Sequence, residues 1–244
     1  MATVTQRAAR RARDYVRVAG PDAEDFLQRM LSNDVSQAPC DALLLTPKGR
    51  IIAPLRVLRR ADEDFLLLTE PGLGNTVRTS LLRARFAAKC EIEREEHVSV
   101  LVWAHDFGAA EERLDADVAP TLREDELERA RIESGVPAWG KELDETILPA
   151  EAGLDGTHIS FTKGCYPGQE PVARLHYRGH PNRALRVFDI DSAQQGDEIR
   201  YGEKVVGRIT SAVPGVALGY LRREVPDDAG LTVGAQRGFA RLRS

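Results

Sequence analysis

The sequence predicts an α+β chain whose C-terminal part is a small antiparallel sheet or barrel. Apolar residues recur at helical spacing in two N-terminal stretches, around 23–31 and 73–89. Apolar runs of strand length stand between and after them. Beyond residue 181, short strand-like runs are separated by glycine-containing turns, the pattern of an antiparallel sheet or barrel.

Taken in order, residues 15–19 read as a strand. Gly20-Pro21-Asp22 then opens a helix with Phe26, Leu27, Met30 and Leu31 inward, and Asn33-Asp34 ends it. Strands follow at 42–46, 51–58 and 65–69, the first two joined by a tight turn at Thr46-Pro47-Lys48-Gly49. Pro54 lacks a ladder donor, so its run calls for an edge position or a bulge. Residues 73–89 read as a helix with Val77, Leu81, Leu82 and Phe86 inward and Arg78, Arg83 and Arg85 outward. Strands at 90–94 and 98–103 precede a surface connection over 106–120. Thr121 with Glu124 forms a capping-box pattern for a helix running to about residue 134, and Gly135 stops it.

Residues 135–181 are dense in glycine and proline and read mostly as loop. Their apolar content, including Trp139, Ile147, Leu154 and Tyr166, favours a functional loop over disorder. Strand-like runs at 185–190, 198–201, 204–211 and 216–221 follow, bent at Gly202 and Gly207. A change of character near 179–183 divides the chain into regions 1–180 and 181–244.

Composition narrows the function classes. The 244 residues include 34 Lys+Arg against 38 Asp+Glu, a net charge of −4, which excludes nucleic-acid binding through bulk positive charge. With 42% hydrophobic and 30% charged residues, the chain has enough apolar content for a core and is not disordered. No apolar run reaches the ~18 residues of a membrane helix. Cys40, Cys90 and Cys165 are odd in number and far apart, so neither a disulfide framework nor a metal site is expected. Arg7, Arg10, Arg11 and Arg13 form a basic arm with no apolar stretch behind it, which reads as a mobile tail rather than a secretory signal. A reducing cytoplasm suits this cysteine usage.

The densest cluster of chemically useful residues is Lys163-Gly164-Cys165-Tyr166-Pro167-Gly168-Gln169-Glu170, continuing to Arg174 and Arg178. A lysine two residues from a cysteine favours the thiolate, the reactive form, and makes Cys165 and Lys163 the candidate catalytic pair. The alternative is a buried cysteine in a turn beside a solvated lysine. Trp139 is either a stacking surface or a core residue. His105-Asp106 is not expected to form a dyad, because adjacent strand residues point to opposite faces.

The segment 163–170 resembles the KGCYxGQE motif of the YgfZ-type folate-binding family, relatives of the glycine-cleavage T-protein (aminomethyltransferase). Gly20-Pro21-Asp22-Ala23 with Phe26-Leu27-Gln28 and Asn33-Asp34, Gly49-Arg50, and Arg131-Ile132-Glu133-Ser134-Gly135-Val136-Pro137 resemble further family motifs. So do Leu148-Pro149-Ala150-Glu151 and Gly207-Arg208-Ile209-Thr210-Ser211, all in the family's order.

The resemblance implies two interleaved α+β subdomains around a central folate cavity, followed by a small C-terminal antiparallel β-barrel. It also implies binding of tetrahydrofolate or a derivative, and a role in maintaining iron–sulfur enzymes, including those that modify tRNA. Iron–sulfur enzymes or cluster-assembly proteins are then the expected partners, with neither nucleic acid nor membrane bound directly. Glu151 matches the family's pterin-binding glutamate. Tyr166, Gln169, Glu170, Arg174, Arg178 and Arg183 are the other candidates for cofactor contact, the arginines for the ligand's carboxylate tail or the cavity wall.

A T-protein-like aminomethyltransferase or demethylase is the alternative. The T-protein's G-G-x-I-D-D-L hairpin carries acids where this chain has Ala53 and Pro54, neither of which exchanges a proton. One cysteine cannot hold a four-thiolate cluster alone, although a cluster shared with a partner is compatible with it.

Overall fold

The computed structural model describes residues 7–103, 110–234 and 238–242. Its N-terminal elements are β1 (Arg7–Arg11), β2 (Asp14–Ala19), α1 (Ala23–Met30), β3 (Cys40–Leu45), β4 (Ile51–Ala61), β5 (Asp64–Thr69) and α2 (Gly74–Ala84). Next come β6 (Glu91–Glu95), β7 (Ser99–Trp103), β8 (Glu111–Leu114), α3 (Glu124–Glu133), α4 (Asp155–His158) and α5 (Gln169–Arg178). The last strands are β9 (Arg183–Ile190), β10 (Glu198–Tyr201), β11 (Lys204–Val213), β12 (Gly215–Arg222), β13 (Leu231–Val233) and β14 (Gly238–Leu242). The fold is α+β, as expected.

The chain forms two compact units. One holds the described residues up to Arg123 together with Leu154–Ala173; the other holds Glu124–Gly153 and the described residues from Arg174 onward.

The first unit is built on an antiparallel sheet ordered β3-β4-β5-β2-β6. Leu66, Leu67 and Leu68 of β5 are fully buried, so this strand is covered on both faces and reads as a continuous apolar run. Phe26 and Leu27 of α1 and Val77 and Leu81 of α2 are the buried faces of the two helices. Pro54 pairs with Leu43 of β3, while pairing to β5 starts only at Leu55. The Pro54 carbonyl accepts the Thr69 hydroxyl at 2.9 Å, so the proline's missing donor faces the side where the β5 ladder has ended.

A smaller sheet ordered β1-β7-β8 corrects the reading of the N-terminal arm. Residues 7–11 are a strand in register with β7, not a free tail. Ala8 and Ala9 are buried, and Arg13 is held between Glu70 (2.8 Å) and Glu112 (3.0 Å). Alanines give no strand signal, so the arginines dominated the sequence pattern.

Other boundaries also move. α2 ends at Ala84, and Phe86, expected inward, is 91% exposed at a left-handed φ of 44°. The Thr121 hydroxyl accepts the Ala8 N–H at 2.9 Å, and α3 begins at Glu124, two residues later than a Thr121 N-cap would start it. Gly135 does stop α3: its φ is 66°, its N–H reaches the Ile132 carbonyl and the Val136 N–H reaches Arg131, a Schellman closure. The surface connection contains β8, and His105-Asp106 lie outside the described residues. The glycine-rich loop contains a ten-residue helix, α5, whose Pro171 is third in the helix, where its missing N–H costs nothing.

In the second unit six strands close into an antiparallel barrel, β10-β11-β12-β9-β14-β13. Phe188, Ile199, Ile209, Ala217 and Leu231 fill it. Ile132 of α3 packs on Val216 and Leu218 from outside the barrel core.

Candidate functional site

The cysteine loop is positioned by backbone packing in the first unit. Thr46–Arg50 forms the expected turn, with Gly49 N–H bonded to the Thr46 carbonyl at 2.9 Å and Gly49 at φ 73°. Gly168 sits directly on this turn at φ 85°: a Cβ there would lie 2.5 Å from the Thr46 carbonyl oxygen and 3.0 Å from the Gly49 Cα. A Cβ at Gly49 would in turn press on Pro171 and Val172 at 3.2 Å. Gly168 therefore needs glycine because its backbone touches the turn, and Gly49 because of its left-handed φ and the two close side chains.

The other side of the returning segment is tied to the end of α1. The buried Ser32 hydroxyl donates to the His158 carbonyl at 2.7 Å and accepts the Leu43 N–H at 2.8 Å. The Asn33 side chain donates to the Asp41 and Thr157 carbonyls. Lys163 closes the tie, with Nζ donating to the carbonyls of Leu31 (2.9 Å) and Asn33 (2.7 Å). An ammonium is well placed at a helix C-terminus. Burial pulls its pKa down to about 8, against attraction from Asp34 and Cys40.

Lys163 thus serves the loop's attachment, with Asp34 as its charged neighbour. Burial, with Asp41 nearby, raises the Cys40 thiol to about 11, so Cys40 is inert. Cys165 is exposed, and Glu170 is exposed at the start of α5. Gln169 begins α5, its N–H bonded to the Tyr166 carbonyl at 3.2 Å. Tyr166 is 7% exposed, and burial raises its hydroxyl to about 12. Among the described residues that hydroxyl is the one buried side-chain polar atom with no hydrogen-bond partner.

Glu151 lies in the second unit, on a short 3-10 turn over Pro149–Glu151. It is 8% exposed. Oε2 accepts the Leu148 N–H at 3.0 Å and Oε1 accepts Arg183 Nε at 3.0 Å. The Arg183 guanidinium also lies over the Tyr220 ring, 4.8 Å from its centroid. Tyr220 is anchored by its hydroxyl, which donates to the Glu142 carbonyl at 2.9 Å. A cavity of about 700 Å³ opens beside Glu151 and Arg183, lined further by His180, Asn182, Arg222, Arg223 and Glu224. This is within the usual volume of small-molecule sites. Arg174 and Arg178 are exposed on α5 and do not line it.

Sequence reasoning missed the support beneath this site. Glu142 is only 1% exposed and carries a full set of partners. Arg131 Nη1 (2.8 Å) and the Ala138 N–H (3.0 Å) donate to one oxygen, and the Ser211 hydroxyl (2.6 Å) donates to the other. Arg131 and Ser211 begin and end two of the recognised motifs, so the signal was present as motif residues without a partner. Among the described residues no group of His, Cys, Asp or Glu is placed to hold a metal ion. None of their helices is long and apolar enough to cross a membrane.

These α+β units, the closed barrel and the glycine-packed loop define an aminomethyltransferase-T-like fold. The glycine cleavage system aminomethyltransferase T of Bartonella henselae superposes with a TM-score of 0.79, covering 98% of this chain and 85% of that one, at 16% identity. No family model matches the chain. It is 32% identical over 227 residues to the tRNA-modifying protein YgfZ of Edwardsiella ictaluri, covering 70% of this chain and 66% of that one. The protein of the same name from Klebsiella pneumoniae is 28% identical over 257 residues, covering 80% of this chain and 77% of that one. The chain belongs to the YgfZ-type family, related to the aminomethyltransferase T-protein.

Proposed function

We propose that the protein binds tetrahydrofolate or a derivative in the cavity beside Glu151. We further propose that it supports iron–sulfur enzymes, tRNA-modifying ones included, with exposed Cys165 as a redox-active thiol. One observation carries the folate reading: a buried carboxylate, oriented at both oxygens, borders a cavity of ligand size. A pterin offers its 2-amino group and N3–H as a donor pair, which a carboxylate accepts bidentately. When bound, the reduced folate supplies a one-carbon carrier; the chain supplies the acceptor at Glu151 and the flanking cations. The tRNA-modifying name of the relatives supports the second half of the proposal.

The aminomethyltransferase alternative has weaker support. Ala53 and Pro54 lie on β4 and bring no acid to the positions where the T-protein hairpin is acidic.

Calorimetric titration with tetrahydrofolate tests the site. Glu151→Gln is expected to weaken binding by about tenfold or more, since a charge-assisted pair is lost. No binding by the wild type overturns the folate reading. For the thiol, Cys165→Ala is expected to retain folate binding yet fail to restore iron–sulfur enzyme activity in cells lacking the protein. Full restoration removes the thiol from the mechanism.

A further inference from the structure

The end of α2 is basic in a chain that is acidic overall. Residues 71–90 carry Arg78, Arg83, Arg85 and Lys89 and no Asp or Glu, although the chain holds 38 acids and a net charge of −4. Arg83 and Lys89 are exposed. Arg78 Nε donates to the Ile92 carbonyl at 3.2 Å and Arg85 Nη1 to the Cys90 carbonyl at 3.1 Å, so neutral acceptors orient these two guanidinium groups without cancelling their charge. The last turn of α1 adds Arg29, which acts with Arg85 on the Cys90 thiol. Arg29 pairs with Asp25 at 2.9 Å, and Asp22 accepts the Lys89 N–H at 2.7 Å, which leaves positive charge in excess.

Among these cations stands Phe86, 91% exposed. It is a corner of the tight turn closed by the Ala88 N–H on the Arg85 carbonyl at 2.9 Å, and its φ is 44°. The left-handed region favours glycine and strains a bulky residue. A ring so exposed buries almost no apolar area to offset that strain. The fold therefore gains nothing from phenylalanine at this corner, and glycine would suit the turn better.

We infer that the turn at Phe86 is the docking point for an acidic protein, one whose surface offers an apolar pocket rimmed by carboxylates. The ring fills the pocket, and Arg83, Arg85 and Lys89 meet the rim. Protein interfaces concentrate their energy in aromatic and arginine anchors of this kind, and complementary charge steers the encounter. A nucleic acid fits less well. Single strands stack on successive aromatics along a basic groove, whereas here one ring projects from a turn. The net negative charge of the chain also repels a polyanion. This surface is independent of the folate reading.

The test uses the photo-cross-linker p-benzoylphenylalanine as its probe. Full chains carrying Phe86→p-benzoylphenylalanine, or Thr76→p-benzoylphenylalanine on the exposed side of α2 as the control, are irradiated in their native cells and the adducts identified by mass spectrometry. The expected adduct joins position 86 to an apolar residue of another protein flanked by Asp or Glu. Arg83→Glu with Lys89→Glu is expected to cut its yield by about tenfold, and changing the partner's flanking acids to Lys is expected to restore it. Both side chains are exposed, and circular dichroism checks that the double variant is folded. With the purified partner so identified, Phe86→Gly is expected to weaken binding by about tenfold or more in calorimetry, while the variant melts no lower than the wild type. No adduct above the position-76 control, an adduct to RNA, lipid or a second copy of this chain, or a yield indifferent to the charge reversal each overturns the inference. So does a lower melting temperature for Phe86→Gly, which would assign the ring to the fold.

Discussion

Lys163 shows at the scale of one residue how a motif position can be legible while its task is not. Its place two residues before a cysteine suggests thiolate activation. The folded chain instead spends the ammonium on two carbonyls at the end of α1. Nothing in a linear sequence encodes a partner 130 residues away, so only the motif could be read, not the bond. The attachment has a pH signature. Burial lowers the Lys163 pKa to about 8, below the ~10.4 of an unstructured lysine. Between those values the unfolded chain holds more protons than the folded one, so this group makes stability rise with pH in that window and adds no slope below it. Cys40, raised to about 11, pulls the other way from about pH 9 upward. The difference between wild type and Lys163→Met isolates the lysine. Urea midpoints are expected to show a positive wild-type-minus-variant slope from about pH 8 to 10, flat below.

At the level of elements, periodicity located most strands of the larger sheet and both N-terminal helices. It failed where tertiary partners override local pattern. Phe86 continues the apolar spacing of α2, but the helix has already ended. α5 was hidden because Pro167, Gly168 and Pro171 are loop signals until one knows that the last of them falls in a helix's first turn. The junction of β6, β7 and β8 likewise carries no periodic signal. There His97 lies between Asp115 (2.6 Å) and Glu95 (2.9 Å), edge-on to the Tyr15 ring. Burial opposes its charge, but the hydrogen bonds and charges of the two acids prevail and raise its pKa. The stabilisation it brings is full below the ~6.5 of a free histidine and disappears as pH climbs through the folded value. Thermal melts are expected to show wild type ahead of His97→Gln at pH 6, with the gap closing by about pH 8. A gap independent of pH would assign the residue to packing alone.

For the whole molecule, the sequence motifs announced the architecture far better than they announced its compact units. The fold and the barrel were readable because recognisable residues ran in order along nearly all of the chain. The ion pair of Arg131 with Glu142 was not, because Glu142 stands in no motif and its burial is a property of the assembled unit. The expected division at 180/181 assigns α3 to the N-terminal region. In the structure, Ile132 of α3 covers Val216 and Leu218 of the barrel, with Leu185 and Val187 beside them. A fragment of residues 181–244 would leave that apolar face in water. It is expected to lack a cooperative melt, whereas residues 124–153 joined by a short linker to 174–244 are expected to melt cooperatively. Circular dichroism on the two fragments decides; a cooperative melt by the shorter one would restore the boundary to 180/181.

The bare contact between residues 49 and 168 has a mechanical consequence. At this point main chain meets main chain, so no rotamer is available there to absorb a displacement. Whatever shifts the turn shifts the sulfur's mounting by a similar amount. The thiol is carried like a tool clamped in a jig, its aim set by two lengths of main chain pressed together.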